Sequence, residues 1–378
     1  YIMNYDALKH REKPLSKMRA NGRITTGVID DLSHYGNTRT ARWKAADGLF
    51  NPRSGRAPEY VWALTGTPGA DVMAVYGFAN LVNPKAMPWK TYDGWQVSLR
   101  YKWGRENWQW RDRASAPETV RQVLQPNIRY NKEDVLKDLP PVTRTRLEAE
   151  LTDEQSDMFA TLKLEMTALT AGGEKVKADR KAALISKLFQ VAAGGVITDS
   201  GLSAVDASPR NEMILGLVRD NPRKTVIFCA FRGVVDLLAE YLTKNDVPTV
   251  KVHGDVTGRT RDKAFESFQN SDKYKAMVAH PVTTAYGTEL SAADQLIING
   301  PLLSGSHTYM QGLERLSSSR QKSDRVSIVE VVASKEEAMF FNTLDYRVGQ
   351  ADAVSRLFEY ITQGGAIHGR SKRSLQRA

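Results

Sequence analysis

Between residues 209 and 345, short apolar runs alternate with segments of helical periodicity, and no other feature of the chain limits its fold so tightly. Strands are expected at 225–231, 249–253, 275–279, 295–299 and 327–333. Helices are expected between and after them, at 234–244, 259–269, 308–316 and 335–344. Apolar runs bounded by polar turns suit strands buried on both faces. Their alternation with helices predicts an α/β fold: a parallel sheet covered on both sides. In such sheets ligands bind beyond the carboxyl ends of the strands, so the loops there are the first place to look for function.

The preceding sequence is less regular. Residues 1–140 are turn-rich, with a strand-like opening at 1–5 and two short apolar runs at 27–31 and 60–65. From 152 to 193 two helices are expected. Thr152 followed by Gln155 forms a capping box, and Met158, Phe159, Leu162, Met166 and Leu169 recur at helical spacing. Ala171-Gly172-Gly173 breaks this helix. A second one, carrying Leu184, Leu188, Phe189 and Val191, runs to Gly194-Gly195. The pair reads as a helical bridge or protrusion.

At 378 residues the chain has room for two domain cores. No stretch approaches the roughly 20 apolar residues of a membrane span, so no membrane partner is expected. The one cysteine, Cys229, sits inside an apolar run; a buried, inert thiol in a cytoplasmic protein is expected, with no disulfide framework. A net charge of +10 favours a polyanionic partner. The basic tail Gly369-Arg370-Ser371-Lys372-Arg373-Ser374-Leu375-Gln376-Arg377-Ala378 is read as solvated, with phosphate contact the sharper alternative. Trp89, Trp95, Trp103, Trp108 and Trp110 lie close together among basic residues. A satellite hydrophobic cluster is the favoured reading, and base stacking beside cations the other. His34, His280 and His307 show no metal-ligand spacing.

Two strand ends carry chemistry. Val28-Ile29-Asp30-Asp31 ends in adjacent carboxylates, the position at which a motor ATPase holds magnesium and polarises water. Trp62-Ala63-Leu64-Thr65-Gly66-Thr67-Pro68 brings two hydroxyls and a close-approach glycine to a sheet edge. Together these resemble the Snf-type, chromatin-remodeller-like ATPases of helicase superfamily two, and the resemblance extends along nearly the whole chain. Tyr1-Ile2-Met3-Asn4-Tyr5-Asp6 resembles the strand before their acidic box. Asp30-Asp31-Leu32-Ser33-His34, running to Asn37, resembles the box itself, and residues 64–68 resemble the coupling motif. Leu139-Pro140-Pro141 with Leu151-Thr152-Asp153-Glu154-Gln155 resembles the lead-in to their protrusion. Residues 226–231 and Val252-His253-Gly254 are similar to the next motif strands. Ala279-His280-Pro281 through Gly287-Thr288-Glu289-Leu290 resembles the fifth motif, and Tyr309-Met310-Gln311-Gly312-Leu313-Glu314-Arg315, ending at Arg320-Gln321, the sixth.

The resemblance implies two RecA-like lobes with a helical protrusion between them. The expected segments are 1–140 as an N-terminally incomplete first lobe, 141–205 as helical protrusion and linker, 206–350 as second lobe and 351–378 as C-terminal helix and basic tail. It implies ATP and magnesium as cofactors, and nucleic acid, double-stranded DNA in this branch, as partner. Asp30 would hold the metal and Asp31 polarise the attacking water. Thr65, Gly66 and Thr67 would couple nucleotide to cleft, and Gly287, Glu289, Gln311, Arg315 and Arg320 would serve the nucleotide from the second lobe. Arg232, His253, Gly254, Thr283 and Thr284 would meet the phosphate backbone, where hydroxyl and amide donors position without specifying sequence. A compact member from a bacterium or bacteriophage, acting in the host cytoplasm, is expected.

Three departures stand against this pattern. Asp31 occupies the place of a glutamate, one methylene shorter, and a displacement of about an ångström can cost on the order of 10²-fold in rate. Ser318 stands where a second arginine belongs; Arg320, two positions on, is roughly 200° further round an ideal helix. The chain contains no Gly-Lys dipeptide, hence no Gly-x-x-x-x-Gly-Lys phosphate loop. That loop is expected upstream of Tyr1, in a longer protein, so that this stretch alone is expected not to turn over ATP. Two functions remain open at this stage: a DNA-dependent ATPase motor, and a degenerate, non-hydrolysing nucleic-acid-binding protein of the same fold.

Overall fold

The computed structural model describes the chain apart from residues 52–57, 66–71, 104–108, 129, 131–134, 137, 170–174, 178–180, 257, 285–287, 302–314 and 346–378. It falls into two compact units, Tyr1–Tyr130 and Asn131–Ala378.

The first unit opens with a helix, Tyr5–Ala20, where a strand was expected over 1–5. Asn4 decides the matter: its side chain accepts a hydrogen bond from the Ala7 amide, Asp6 sits in the first turn, and Leu8 and Leu15 bury one face. Tyr1 and Ile2, which suggest a strand by residue type, lie exposed ahead of the cap. Two runs form the expected strands, β1 (Thr26–Ile29) and β2 (Tyr60–Ala63), paired in parallel with Ile29 opposite Ala63. Helices Ala41–Phe50 and Val75–Val82 pack into the same core. Gly77 is required there, because a Cβ would stand 2.3 Å from the Tyr35 carbonyl oxygen. The buried Arg19 donates to the carbonyls of Gly48 and Leu49, meeting the negative end of the helix Ala41–Phe50.

The tryptophans divide. Trp95, fully buried on the helix Tyr92–Leu99, packs edge-on against Trp89 and donates to the Val72 carbonyl, so the satellite-core reading holds for these two. Trp103 and Trp110 instead lie on an antiparallel ribbon of β3 (Arg100–Trp103) and β4 (Gln109–Asp112), and Trp103 is 48% exposed. Trp108 falls outside the described residues.

In the second unit β5 (Val142–Glu148) comes first. The helical pair follows as Asp153–Glu165 and Lys181–Ala192, and Thr152 with Gln155 makes both hydrogen bonds of the capping box. Met158, Phe159, Leu162, Leu184, Leu188 and Val191 form its core. Two short antiparallel pairs accompany it, β6 (Thr167–Leu169) with β7 (Lys175–Lys177) and β8 (Gly195–Thr198) with β9 (Gly201–Ala204). Then come β10 (Lys224–Cys229), β11 (Thr249–Val252), β12 (Ala276–Ala279), β13 (Ala293–Asn299) and β14 (Val326–Val332).

These five strands and β5 form one parallel sheet in the order β11-β12-β10-β13-β14-β5. The expected α/β class, with a parallel sheet carrying helices on both faces, is thus realised. Successive residues of β10 face opposite sides. Val226 and Phe228 join one core with Phe265, Phe268 and Phe341, while Ile227 and Cys229 join the other with Ile214, Val218, Val234 and Leu238.

The strand β5 lies within residues 141–205, where helical protrusion and linker were expected, and adds to the sheet edge. Val-Thr-Arg-Thr-Arg-Leu-Glu reads poorly as a core strand, yet charged side chains suit an edge. The reason is Glu330 of β14, 2% exposed: Arg144 and Arg146 both donate to its carboxylate, Arg144 Nε at 2.8 Å and Arg146 Nε at 2.9 Å. A carboxylate removed from water must be paired, and β5 pairs it.

Candidate nucleotide and nucleic-acid site

In the first unit the pairing of β1 with β2 brings the two candidate strand ends together. The Leu64 amide donates to the Ile29 carbonyl, and the Leu32 amide donates back to the Leu64 carbonyl, each at 2.9 Å. Asp30 and Asp31 therefore emerge beside Leu64 and Thr65. Asp30 is exposed, carries no ion pair among the described residues, and its carbonyl accepts from the Tyr5 hydroxyl. Asp31 is left-handed, with φ 56° and ψ 73°, and its carboxylate lies 3.7 Å from His34 Nε2. A non-glycine residue held there costs roughly 1–3 kcal/mol, and such strain concentrates at functional sites. His34 stacks on Tyr5, so the helix Tyr5–Ala20 buttresses the acidic turn. Gly66 and Thr67 lie outside the described residues.

In the second unit the carboxyl ends of β10, β11 and β12 gather a polar cluster. Arg232 opens the helix Arg232–Lys244, and its Nη1 lies 3.0 Å from Asp255 Oδ1. His253, directly after β11, is buried, with Nε2 3.3 Å from Asp236 Oδ1. Its Nδ1 is 3.6 Å from Asp255 Oδ2, beyond hydrogen-bond reach, and has no hydrogen-bond partner among the described residues. A Cβ on Gly254 would come 3.1 Å from the Arg232 guanidinium, so the small residue lets the cation lie close. Lys251 pairs with Asp236 at 2.5 Å.

The sequence singled out Arg232, His253 and Gly254, and the fold brings them together. It also adds His280, read in the sequence only as part of a motif, and Asp236 and Asp255, which sequence reasoning missed; their shared signal is position, just past a strand end or one helical turn beyond it. The His280 amide donates to Val252 O at the end of β11. Burial holds the His280 imidazole below its usual pKa, against a backbone hydrogen bond at Ala230 that raises it, with Arg232 and His253 adding to the depression.

The threonines behave differently. Thr283 is half-buried and its hydroxyl donates to the His280 carbonyl at 2.6 Å. Thr284 is fully buried and donates to Pro281 O at 2.8 Å. Thr284 is thus turned into the core, away from any backbone it was expected to meet, because the short helix Pro281–Thr284 points that position inward.

Of the remaining nucleotide candidates, Gly287 and Gln311 lie outside the described residues. Glu289 accepts from the Ser318 hydroxyl at 3.2 Å and from Arg320 Nη1 at 3.4 Å. Ser318 and Arg320 thus converge on one carboxylate, with the Arg320 amide also bonded to Ser318 Oγ. Arg315 is half-buried in the turn of helix that precedes them. No group of three or more potential metal ligands occurs among the described residues.

The six-stranded parallel sheet and the basic and small residues at its carboxyl edge make an α/β lobe with a polar rim. The chain matches the helicase conserved C-terminal domain over residues 209–336. It is 26% identical over 308 residues to the SWI/SNF-related matrix-associated actin-dependent regulator of chromatin subfamily A-like protein 1 of Xenopus tropicalis, covering 78% of this chain and 29% of that protein. It is 25% identical over 255 residues to the ISWI chromatin-remodeling complex ATPase CHR17 of Arabidopsis thaliana, covering 63% and 23%. The chain thus spans less than a third of the length of these relatives. Among solved structures, the Sulfolobus solfataricus SWI2/SNF2 ATPase core in complex with dsDNA aligns over 93% of this chain and 72% of its own, at 18% identity and a TM-score of 0.42. The C-terminal part of the Fun30 ATPase domain aligns over 60% and 98%, at 14% identity and a TM-score of 0.45. No helix among the described residues is long and apolar enough to cross a membrane.

Proposed function

We propose that the protein containing this chain is an ATP-driven motor that hydrolyses ATP while bound to nucleic acid, with double-stranded DNA as its track and the cytoplasm as its compartment. The observation that carries the reading is the carboxyl edge of the helicase C-terminal sheet, where Arg232, His253, Gly254 and His280 converge. Arg232 pairs with Asp255, a carboxylate whose side chain is 66% exposed, and His253 lies just beyond hydrogen-bond reach of it. A backbone phosphate arriving there replaces Asp255 as the anion, and the surface ion pair it displaces is worth little, about 0–1 kcal/mol. Thr283 supports the same edge through the His280 carbonyl; Thr284 acts only in packing.

The nucleotide end of the reading rests on Asp30, Asp31 and Thr65. Magnesium keeps most of its waters and needs one or two carboxylates beside substrate phosphates, and an exposed strand-end Asp30 without an ion pair among the described residues fits that demand. When bound, the ion would neutralise charge on the phosphates. Asp31 is oriented by its left-handed backbone and by His34 to polarise water, and Thr65 lies on the adjacent strand end, where nucleotide state would be passed on. Gly66 and Thr67 would extend that coupling turn. From the second lobe Arg315, with Gln311, Gly287 and Glu289, would serve the phosphates. Arg320 is held at Glu289 and would reach them only by leaving it.

A second reading has its own support. Ser318 replaces a guanidinium by a hydroxyl bonded to Glu289, and an arginine finger is worth roughly 10³–10⁵ in such transfers. A non-hydrolysing DNA-binding protein of the same fold would look like this.

The test is ATP hydrolysis by the intact protein with and without duplex DNA. Stimulated hydrolysis that disappears in Asp30→Ala establishes the motor. Salt-sensitive DNA binding without hydrolysis establishes the second reading, and absence of both overturns the two together.

A further inference from the structure

The ribbon β3–β4 presents two unlike faces. With Tyr101 opposite Arg111 and Lys102 opposite Trp110, the alternation of strand side chains puts Tyr101, Trp103 and Arg111 on one side and Arg100, Lys102, Trp110 and Asp112 on the other. The second side neutralises itself in part, since Arg100 binds Asp112 at 2.6 Å. The first does not. There the Arg111 guanidinium stands 4.6 Å from the Trp103 ring centroid, and Arg113, just past β4, stands 6.0 Å from that of Tyr101. Trp103 is 48% exposed and Tyr101 37%, and the rings meet edge-on at 6.5 Å.

Folding does not call for this arrangement. The ribbon is anchored at its base, where Leu99 and Trp95 are fully buried and the Arg113 amide donates to the Leu99 carbonyl. Two large aromatic rings left half in water beyond that anchor, each beside an arginine and with no carboxylate on their face among the described residues, present a surface complementary to an anion that also carries flat apolar faces. Nucleic acid with unstacked bases has that chemistry: bases stack on the rings while the guanidinium groups hold the phosphates. A duplex fits less well. Its bases are already stacked on one another, and indole and phenol rings offer little to the donor and acceptor pattern of a groove edge.

We infer that the Tyr101–Trp103 face of this ribbon is a single-strand contact, a second nucleic-acid site on the first unit, separate from the phosphate-binding edge of the second. The inference rests on the chain being a nucleic-acid-binding protein. It gives such a protein a means of holding an unpaired strand.

The experiment measures binding of the intact protein to a dT oligonucleotide and to a duplex, by fluorescence anisotropy at several salt concentrations. The proteins compared are the parent, the pair Tyr101→Ala with Trp103→Ala, and the conservative pair Tyr101→Phe with Trp103→Phe, each checked by circular dichroism. Loss of the two rings is expected to weaken dT binding by at least about fivefold. The salt slope should stay unchanged because no phosphate contact is removed. Duplex affinity should be unaffected, and the phenylalanine pair should restore most of the dT binding. Unchanged dT affinity in the alanine pair overturns the proposal and leaves the ribbon as a protein-facing surface. Equal loss of dT and duplex binding by a folded variant also overturns it, as a duplex contact. A parent protein that binds neither ligand would instead sink the nucleic-acid reading itself.

Discussion

Arg210 and Glu337 meet at 2.5 Å in the second unit with 1% and 0% of their side chains exposed. Arg210 comes from the helix Ser208–Asp220 and Glu337 from the helix Lys335–Asp345, and between them Arg210 Nη1 reaches Asn299 at the end of β13. The Ala333 amide donates to the same carboxylate at 2.7 Å. Gly300 follows with φ +79°, and a Cβ there would lie 2.8 Å from Glu337 Oε1. The pair thus ties two helices to the end of a central strand, immediately before the segment that carries Gln311 and Arg315.

Removing one member of such a pair strands a buried charge. Arg210→Met is expected to cost roughly 3–5 kcal/mol in a denaturant titration. The double change with Glu337→Leu should cost less than Arg210→Met alone, leaving chiefly the unpaired Ala333 amide at about 1–3 kcal/mol. Additive losses would show that the two side chains do not act as a unit.

Cys229 supplies a chemical gauge of the same region. Burial drives its thiol pKa up to about 12, against the Asn299 side-chain contact and the charge of Arg210, which lower it. Since the thiolate is the reactive form, iodoacetamide at pH 8 should leave the native protein unlabelled and modify it at the rate of unfolding. As the one cysteine in the chain, it makes the label a direct count of unfolded molecules.

His280 ties stability to pH. Burial holds its folded pKa below the ordinary value of 6.5, so between the two values the unfolded chain binds the proton and the folded chain does not. The contribution is complete above about 6.5 and is lost as pH falls from there towards the folded value. Urea midpoints measured from pH 7.5 to 5 should decline, and His280→Asn should flatten that decline. An unchanged slope would assign the acid sensitivity elsewhere.

Arg232→Ala tests the phosphate edge. Loss of one phosphate contact should weaken duplex binding alike across sequences and reduce the slope of log K against log salt by about 0.9. A full slope would remove Arg232 from the interface.

Much of this was legible in the sequence, and the exceptions share a cause. Strands β10, β12, β13 and β14 announce themselves because both their faces are buried, which forces uninterrupted apolar runs. The capping box at Thr152 and Gln155 is local chemistry, readable within four residues. The opening helix was misread because Tyr1 and Ile2 suggest a strand by type, while the deciding cap is a single asparagine. The strand β5 was missed because its arginines answer a glutamate 184 positions away, and no local pattern reports so distant a partner. In the candidate site, Arg232, His253 and Gly254 were reachable from the family resemblance together with their place after strand ends. The carboxylates Asp236 and Asp255, which set the charge around them, were not, for acids on a helix face and in a turn look like ordinary solvated surface.

The placement of β5 reaches into the protein's synthesis. Thr143 meets Val326 across 183 positions, so the outermost strand of the sheet leaves the ribosome first and its neighbour last. At about 5–20 residues per second, the wait between them is on the order of ten seconds or more. Throughout that interval Arg144 and Arg146 have no Glu330 to bind, and β5 is a cationic strand without a sheet. A truncated chain that stops before β14 would leave it so permanently, and one that starts after Glu148 would take both arginines away from Glu330.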